Sequence, residues 1–296
     1  MQFKSPLPIR DGVAASYLWL PEGHWNNMLE FLLMQFPDVL EATWRQRMEK
    51  HELLDMHGNA LQANSVAKRG MCIFYYRELE AETLIPFEER ILHQDQHLLV
   101  VDKPHFLPVT PGGRFLHETL LVRLKKKLGL EHLTPIHRLD RETAGVILFS
   151  CEPSSRGNYQ SLFQQRTIQK TYHALAPHLP ELHFPLIHRS HMLESEQFFV
   201  MQEGLGVANS ETAIDIIDRR GELSLYQLQP STGKKHQLRV HLASLGAPIV
   251  NDSFYPVALP CKADDFSMPL KLLAKAIAFT DPISAKLRYF ESQQSL

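Results

Sequence analysis

Apolar positions recur at helical spacing through His24-Trp25-Asn26-Asn27-Met28-Leu29-Glu30-Phe31-Leu32-Leu33-Met34-Gln35-Phe36, and Pro37 stops the run. This predicts a helix over 24–36, with a second over 40–50. Gly58-Asn59 and Arg69-Gly70 read as turns, and Met71–Tyr76 as a strand. The apolar pattern then lapses. Glu78, Glu80, Glu82, Glu88 and Glu89 surround Pro86, which sets a boundary between a small N-terminal domain over 1–85 and a larger one over 86–296. Beyond it, Leu98–Lys103 is a short apolar run ending at Pro104, the mark of a buried strand. An amphipathic helix is expected over 117–128, closed by Gly129. Strands are expected over 145–150 and 171–176, with a helix between them starting at Ser154 or Ser155 as N-cap. Alternation over 212–217 and 223–228 predicts half-buried strands, and 236–245 a last helix closed by Gly246. Interleaved strands and helices of this kind make an α+β protein. There is no internal repeat or low-complexity tract.

Composition narrows the class. Of the 296 residues 44% are hydrophobic and 22% charged, an ordinary globular balance. No apolar run approaches the ~20 residues of a membrane span. Met1-Gln2-Phe3-Lys4-Ser5-Pro6 lacks the pattern of a secretory leader. Cys72, Cys151 and Cys261 form no CxxC pair, so neither a disulfide framework nor a thiolate zinc site is expected, and a cytoplasmic setting is. Net charge is −2, but unevenly spread: residues 1–100 carry 9 Lys+Arg against 14 Asp+Glu, and the remainder 22 against 19. The basic clusters are Lys125-Lys126-Lys127, Arg138, Arg141, Lys170, Lys234-Lys235 and Arg239. A local basic cleft can hold a polyanion on a near-neutral protein.

The chemistry concentrates in Thr134-Pro135-Ile136-His137-Arg138-Leu139-Asp140-Arg141-Glu142-Thr143-Ala144-Gly145. Asp140 lies between two arginines just before an apolar strand. Nearby guanidinium groups lower a carboxylate pKa and keep it ionised, fit to act as nucleophile or base. Three further strings follow in order: Val101-Asp102-Lys103-Pro104 with Pro108-Val109-Thr110-Pro111, Lys170-Thr171-Tyr172-His173-Ala174-Leu175, and Thr232-Gly233-Lys234-Lys235-His236-Gln237-Leu238-Arg239-Val240-His241 with Gly246–Asp252. Together the four resemble the HRLDRxTSG, DKPxGxxVHP, KxYxAL and TGRxHQLRVH…GxPIxGD motifs of the RluA-type pseudouridine synthases, which turn uridine in RNA into its C-glycoside isomer. Phe106 and Asn251 stand where the family has Gly, Thr110 where it has His, Ala144 where it has Ser, and Lys234 where it has Arg.

The resemblance implies the pseudouridine synthase catalytic fold, a mixed, mostly antiparallel sheet with flanking helices. The segment 40–77 resembles the small S4-like RNA-binding module that precedes many such domains, although it is acidic here. The resemblance further implies Asp140 as the essential carboxylate, Tyr172 packing on the flipped base, and Arg239 paired with Asp140. Arg138, Arg141, Lys170, Lys234, His236 and Leu238 are the implied substrate-binding set. Structured RNA, tRNA or rRNA, is the implied partner, bound by a monomer that needs no protein partner, cofactor or metal. His236 and His241, five apart, do not share a helix face as a zinc pair would, and the 16 histidines form no other ligand-spaced cluster. His137 is expected to be a hydrogen-bonded structural residue. Two other classes stay open. One is a non-catalytic RNA-binding protein, which would not need Asp140. The other is a glycoside hydrolase, which requires two opposed carboxylates where the motif offers Asp140 and the adjacent Glu142.

Overall fold

The computed structural model describes residues 5–79, 81–197, 199–259 and 265–296. Residues 1–4, Glu80 and Cys261, which entered the argument above, lie outside them. The chain divides into two compact units, Met1–Glu82 with Pro111–His117 and Thr83–Thr110 with Glu118–Leu296. No single cut separates them, because 111–117 returns to the first.

The first unit holds β1 (Ser16–Trp19), α1 (Met28–Gln35), α2 (Glu41–Glu49), β2 (Leu53–Asp55) and β3 (Cys72–Tyr75). Its antiparallel sheet runs β1-β3-β2. The Asn27 side chain accepts the Glu30 N–H and caps α1, so the helix starts later than the apolar spacing alone suggests. Met28, Phe31 and Leu32 of α1 then meet Trp44 and Met48 of α2 over Leu53 and Ile73.

The second unit contains β4 (Arg90–Gln94), β5 (Leu98–Lys103), α3 (Leu120–Leu128), β6 (Thr134–Pro135), β7 (Ala144–Ser150), α4 (Pro153–Gln164) and β8 (Gln169–Pro177). It continues with β9 (Leu186–Glu194), β10 (Met201–Gly204), β11 (Ser210–Arg220), β12 (Leu223–Pro230), α5 (Gln237–Ser244), β13 (Leu272–Thr280) and β14 (Leu287–Glu291). The sheet runs β10-β9-β11-β12-β8-β13-β7-β5-β4, with β14 on β13 and β6 on β7. The β7–β13 pair is parallel and its other named pairs antiparallel. The architecture is therefore the expected α+β fold with a mixed, mostly antiparallel sheet.

Strand β13 separates β7 from β8 and so fixes the spacing of the two motifs those strands carry. Gly145 allows it. A Cβ at Gly145 would lie 2.2 Å from the Ala274 carbonyl oxygen, and its φ of +113° is one that side chains oppose. On β8, Tyr172, Ala174 and Ala176 face one way, by the two-residue period of a strand. They pack with Leu238 and Leu242 of α5 and with Ile214, Tyr226, Leu228 and Leu272. A second core sets Tyr159 and Leu162 of α4 on Leu98, Val100, Val146, Leu148, Ile277 and Phe279. Each fully buried large apolar side chain contributes about 1.5–3 kcal/mol relative to exposure. Helix α4 starts at Pro153, whose fixed φ suits the first helical position. Ser155 is thus inside the helix and donates back to the Glu152 carbonyl rather than capping.

Candidate active site

Asp140 lies in the loop between β6 and β7, and that loop is tied from below. Lys103, at the end of β5 and fully buried, donates its three N–H groups to the carbonyls of Pro104 (3.0 Å), Leu107 (2.9 Å) and Arg141 (3.0 Å). Burial lowers its ammonium to about 7, with Glu142 and Asp140 pulling the other way. His105 Nδ1 lies 2.7 Å from the Glu142 carbonyl, and the Thr143 N–H donates to that of Asp140. The loop is held by its backbone, which leaves the Asp140 carboxylate free to face the hollow. Phe106, in the turn that Lys103 braces, takes φ +66°, the left-handed backbone a Gly would adopt freely. Asn251 does the same at +65°, with its side-chain amide on the Pro269 carbonyl.

Arg239 of α5 reaches this loop across 99 positions of sequence. Its Nη1 lies 3.8 Å from Asp140 Oδ2 and 3.9 Å from Glu142 Oε2. The principal partner of Arg239 is another residue, Asp252. Nε donates to Asp252 Oδ2 at 2.7 Å and Nη2 to Oδ1 at 2.6 Å, a bidentate fork between two fully buried groups. Asp252 Oδ1 also accepts the Phe254 and Tyr255 N–H groups. Burial works against the guanidinium charge, and Asp252 outweighs it, leaving the pKa above its ordinary value. Nη1 is buried and makes no hydrogen bond among the described residues. Asp252 therefore aims Arg239, and Nη1 is what it aims at Asp140.

The carboxylate itself differs from the expectation of a lowered pKa. Burial raises the Asp140 pKa above its usual value, although Arg239, Arg138 and Lys103 oppose the rise. The cations moderate a desolvation they do not overcome, while 21% of the side-chain surface stays open to the hollow.

Tyr172 and Asp140 line one hollow of about 210 Å³ with Arg138, Lys170, His236 and Arg239. Burial and then Asp140 push the Tyr172 phenol up, so it stays protonated at neutral pH. His236 is also left-handed (φ +54°), with its ring stacked on Phe254. Burial and then Arg239 depress its pKa to about 3, so it is neutral. The Tyr255 hydroxyl accepts the Met201 N–H and lies 2.9 Å from His236 Nδ1. With the hydroxyl proton directed to Nδ1, the ring carries its own proton on Nε2, 4.0 Å from Asp140 Oδ2.

Of the expected substrate-binding set, Arg138, Lys170, Lys234, His236 and Leu238 line the hollow. Arg141 does not: its Nε turns to Glu142 at 3.6 Å, and its carbonyl serves Lys103. Lys125–Lys127 also lie outside the lining. His137 is structural, as expected: its Nε2 accepts the Leu148 N–H, its ring stacks on Phe163, and burial lowers it to about 3. Neither Asp252 nor Tyr255 carries a role in the sequence analysis. The signal in the sequence for Asp252 is its place at the end of the third motif, beside Asn251 in an otherwise apolar stretch, and nothing there names Arg239 as its partner. One histidine expectation needs correcting. His188, Glu203 and His241, from β9, β10 and α5, bring ligand atoms within 4.8 Å of one another. These atoms already have hydrogen-bonding partners: His188 Nε2 meets Glu203 at 2.8 Å, and His241 meets Thr212 and Ser210, both at 2.9 Å.

Comparison with known proteins gives the same picture from outside. Residues 97–244 match the family model described as RNA pseudouridylate synthase. The chain is 32% identical over 209 residues to the dual-specificity RNA pseudouridine synthase RluA of Pasteurella multocida, covering 68% of this chain and 91% of that one. It is 34% identical over 173 residues to the human pseudouridylate synthase RPUSD2, covering 56% of this chain and 30% of that one. It thus spans under a third of that relative's length. Among solved structures, human RNA pseudouridylate synthase domain containing 4 superposes with a TM-score of 0.54 at 28% identity, over 69% of this chain and 87% of that one.

Proposed function

The chain belongs to the RNA pseudouridylate synthase family and is an RNA pseudouridine synthase of the RluA type; on that premise we propose that Asp140 is its essential carboxylate and a structured RNA loop its substrate. The N1–C1′ bond of a stacked uridine is out of reach, so the nucleotide leaves the stack and enters the hollow. Asp140 then attacks C1′, so that uracil leaves as its N1 anion, or takes a sugar proton as the N1–C1′ bond breaks. The freed uracil turns and C5 bonds to C1′, while any Asp140–C1′ bond breaks or the sugar proton returns, the C5 proton leaves and N1 takes up a proton. Tyr172 provides a face for the base during that turn. Arg239 holds Asp140 in place and offers Nη1 to the negative charge that shifts during bond cleavage. The neutral His236 lends a donor on the same side. The isomerisation has no net redox change, and we assign it neither metal nor organic cofactor.

The observation that carries this reading is the buried Nη1 of Arg239, without a hydrogen bond among the described residues, held by Asp252 and facing Asp140 at 3.8 Å. A protein that only bound RNA would have no use for it. The ungapped string Lys103–Pro111 supports a tRNA anticodon stem-loop or a 23S rRNA loop as substrate, acted on by a monomer in the cytoplasm. The free, buried Cys72 and Cys151 suit that reduced setting. Carbodiimide mapping of RNA from cells with the gene, without it, and with Asp140→Asn tests the proposal. A site present with the gene and absent from the other two is expected. A site that persists with Asp140→Asn overturns it.

A further inference from the structure

A second and larger hollow adjoins the catalytic one. It measures about 620 Å³, within the ~300–1,000 Å³ of ligand sites, against about 210 Å³ for its neighbour. The two share Arg138, Lys170, Tyr172 and Lys234 as a common wall. Among the residues the larger one adds are His137, Phe163 and Arg166, the last two from the end of α4 and the turn that follows it. Arg138, Arg166, Lys170 and Lys234 converge there, and none of the lining residues is acidic. The nearby Glu211 is taken up by Arg189 at 2.6 Å and Ser231 at 3.1 Å. Lys170 Nζ donates to the Thr232 carbonyl, leaving two of its three N–H groups for a ligand. Burial holds the Lys170 ammonium down at about 8, with a smaller contribution from the positive charge of Arg166. An anion between them relieves that repulsion. Phe163, half-buried and with one ring face stacked on His137, supplies an apolar surface beside the cations.

We propose that this hollow is a subsite for the nucleotide next to the target uridine, with Arg166 and Lys170 taking its phosphate and its base lying against Phe163. The inference rests on the reading of the catalytic hollow as the uridine site. The shared wall is what makes the occupant a neighbour in the strand rather than a separate ligand. Phosphate contacts fix register, and an aromatic face accepts any base. The subsite thus positions the target without specifying sequence.

Fluorescence anisotropy of a fluorescein-labelled oligouridine, measured across salt concentrations, tests it with Arg166→Glu and Phe163→Leu. Thermal melts confirm that each variant folds. Arg166→Glu is expected to weaken binding about tenfold at low salt and to reduce the salt slope by about 0.7, the value of one single-strand phosphate. Phe163→Leu is expected to weaken binding about fivefold with the slope unchanged. An affinity and slope in Arg166→Glu equal to those of the wild type overturn the subsite. So does an equal slope change from Lys126→Glu, outside both hollows, because charge alone would then explain the effect. Pseudouridine mapping reads the catalytic assignment independently. Loss of that assignment with the slope change intact would leave the subsite standing as an RNA contact.

Discussion

Helices α3 and α5 are nearly equal in length and opposite in construction. In α3, Leu120, Val122 and Leu124 are buried, Lys125–Lys127 occupy the last turn, the Thr119 side chain caps the start, and Gly129 ends the helix in a left-handed turn. Every choice agrees with an isolated amphipathic helix, including lysines at the negative end of its dipole. In α5 the six residues Gln237–Leu242 are all buried, polar ones included, and no side chain caps the start. Its buried polar side chains find their partners outside the helix, several of them far away in sequence. Gln237 Nε2 donates to the Glu211 carbonyl and Thr212 Oγ1, His241 meets Thr212 and Ser210, and Arg239 grips Asp252. A buried polar group without its partner costs ~1–3 kcal/mol, so this helix is correct only in this fold. The basic run on α3 lies outside the hollow, whereas the helix that breaks the amphipathic rule lines it.

That contrast can be broken by mutation. The largest effect is expected at the carboxylate that α5 serves. Asp140→Asn should lower pseudouridine formation by ~10²–10⁴-fold or more without lowering Tm at neutral pH. The stability half follows from the sign of its pKa. A native pKa above the unfolded one means the fold binds that proton more tightly, so the group's contribution is full below the unfolded pKa and falls as pH rises through the window between the two. Removing the charge therefore relieves the fold at neutral pH, and a Tm drop comparable to that of a core deletion would contradict it.

Next comes Arg239→Met, which should cost ~3–5 kcal/mol because Asp252 is left buried and unpaired, and should remove activity as well. This is far above the ~0–1 kcal/mol of an exposed ion pair, since both partners are buried. Adding Asp252→Leu should restore much of the stability and none of the activity. Denaturant melts beside turnover separate the two effects; a double variant no more stable than the single one would show that the ion pair does not account for the loss.

A smaller effect tests the cations around Asp140. The acid limb of activity should lie above the ordinary carboxylate value of ~3.9, because the ionised form is the working one. Arg138 is exposed and pulls that pKa down, so Arg138→Ala should move the limb to higher pH with little change in Tm. A limb that stays in place under single-turnover conditions would mean a different group governs it. The smallest effect belongs to α3. Thr119→Ala should cost ~1 kcal/mol by removing the cap and leave turnover per folded molecule unchanged. Activity loss beyond the unfolded fraction would mean that α3 is not merely scaffold.

What the sequence made legible divides along the same line. The C-terminal end of α3, its Gly129 stop and the strand at 98–103 follow from local periodicity and turn chemistry, which act within a few residues; the helix starts at Leu120 rather than at 117, because Thr119 caps it. Asp140, Tyr172 and Arg239 were legible through the order of four motifs, and all three line one hollow. The role of Asp252 was not, because a bidentate partner 13 positions from Arg239 leaves no periodic trace. The direction of the Asp140 pKa was misjudged for a related reason. Charges can be counted along a chain, whereas desolvation depends on what the fold closes over them. The left-handed Phe106 and Asn251 occupy positions where the family has Gly. The local backbone there is kept by the Lys103 bonds around Phe106 and by the Asn251 amide on Pro269, in place of a permissive residue.

Strand β13 carries a consequence for how the molecule is made. It lies between β7 and β8, so the strand after Asp140 and the strand holding Tyr172 have no shared edge until residues 272–280 arrive. On the ribosome, domains acquire their contacts as the chain emerges. A nascent chain ending near residue 270 has every catalytic side chain and two sheet fragments with open edges between them. Such edges are where misassembly begins. Catalytic competence is therefore gained late and in one step, when β13 closes the gap against Gly145, and nascent chains stalled before that point should be inactive and prone to aggregation.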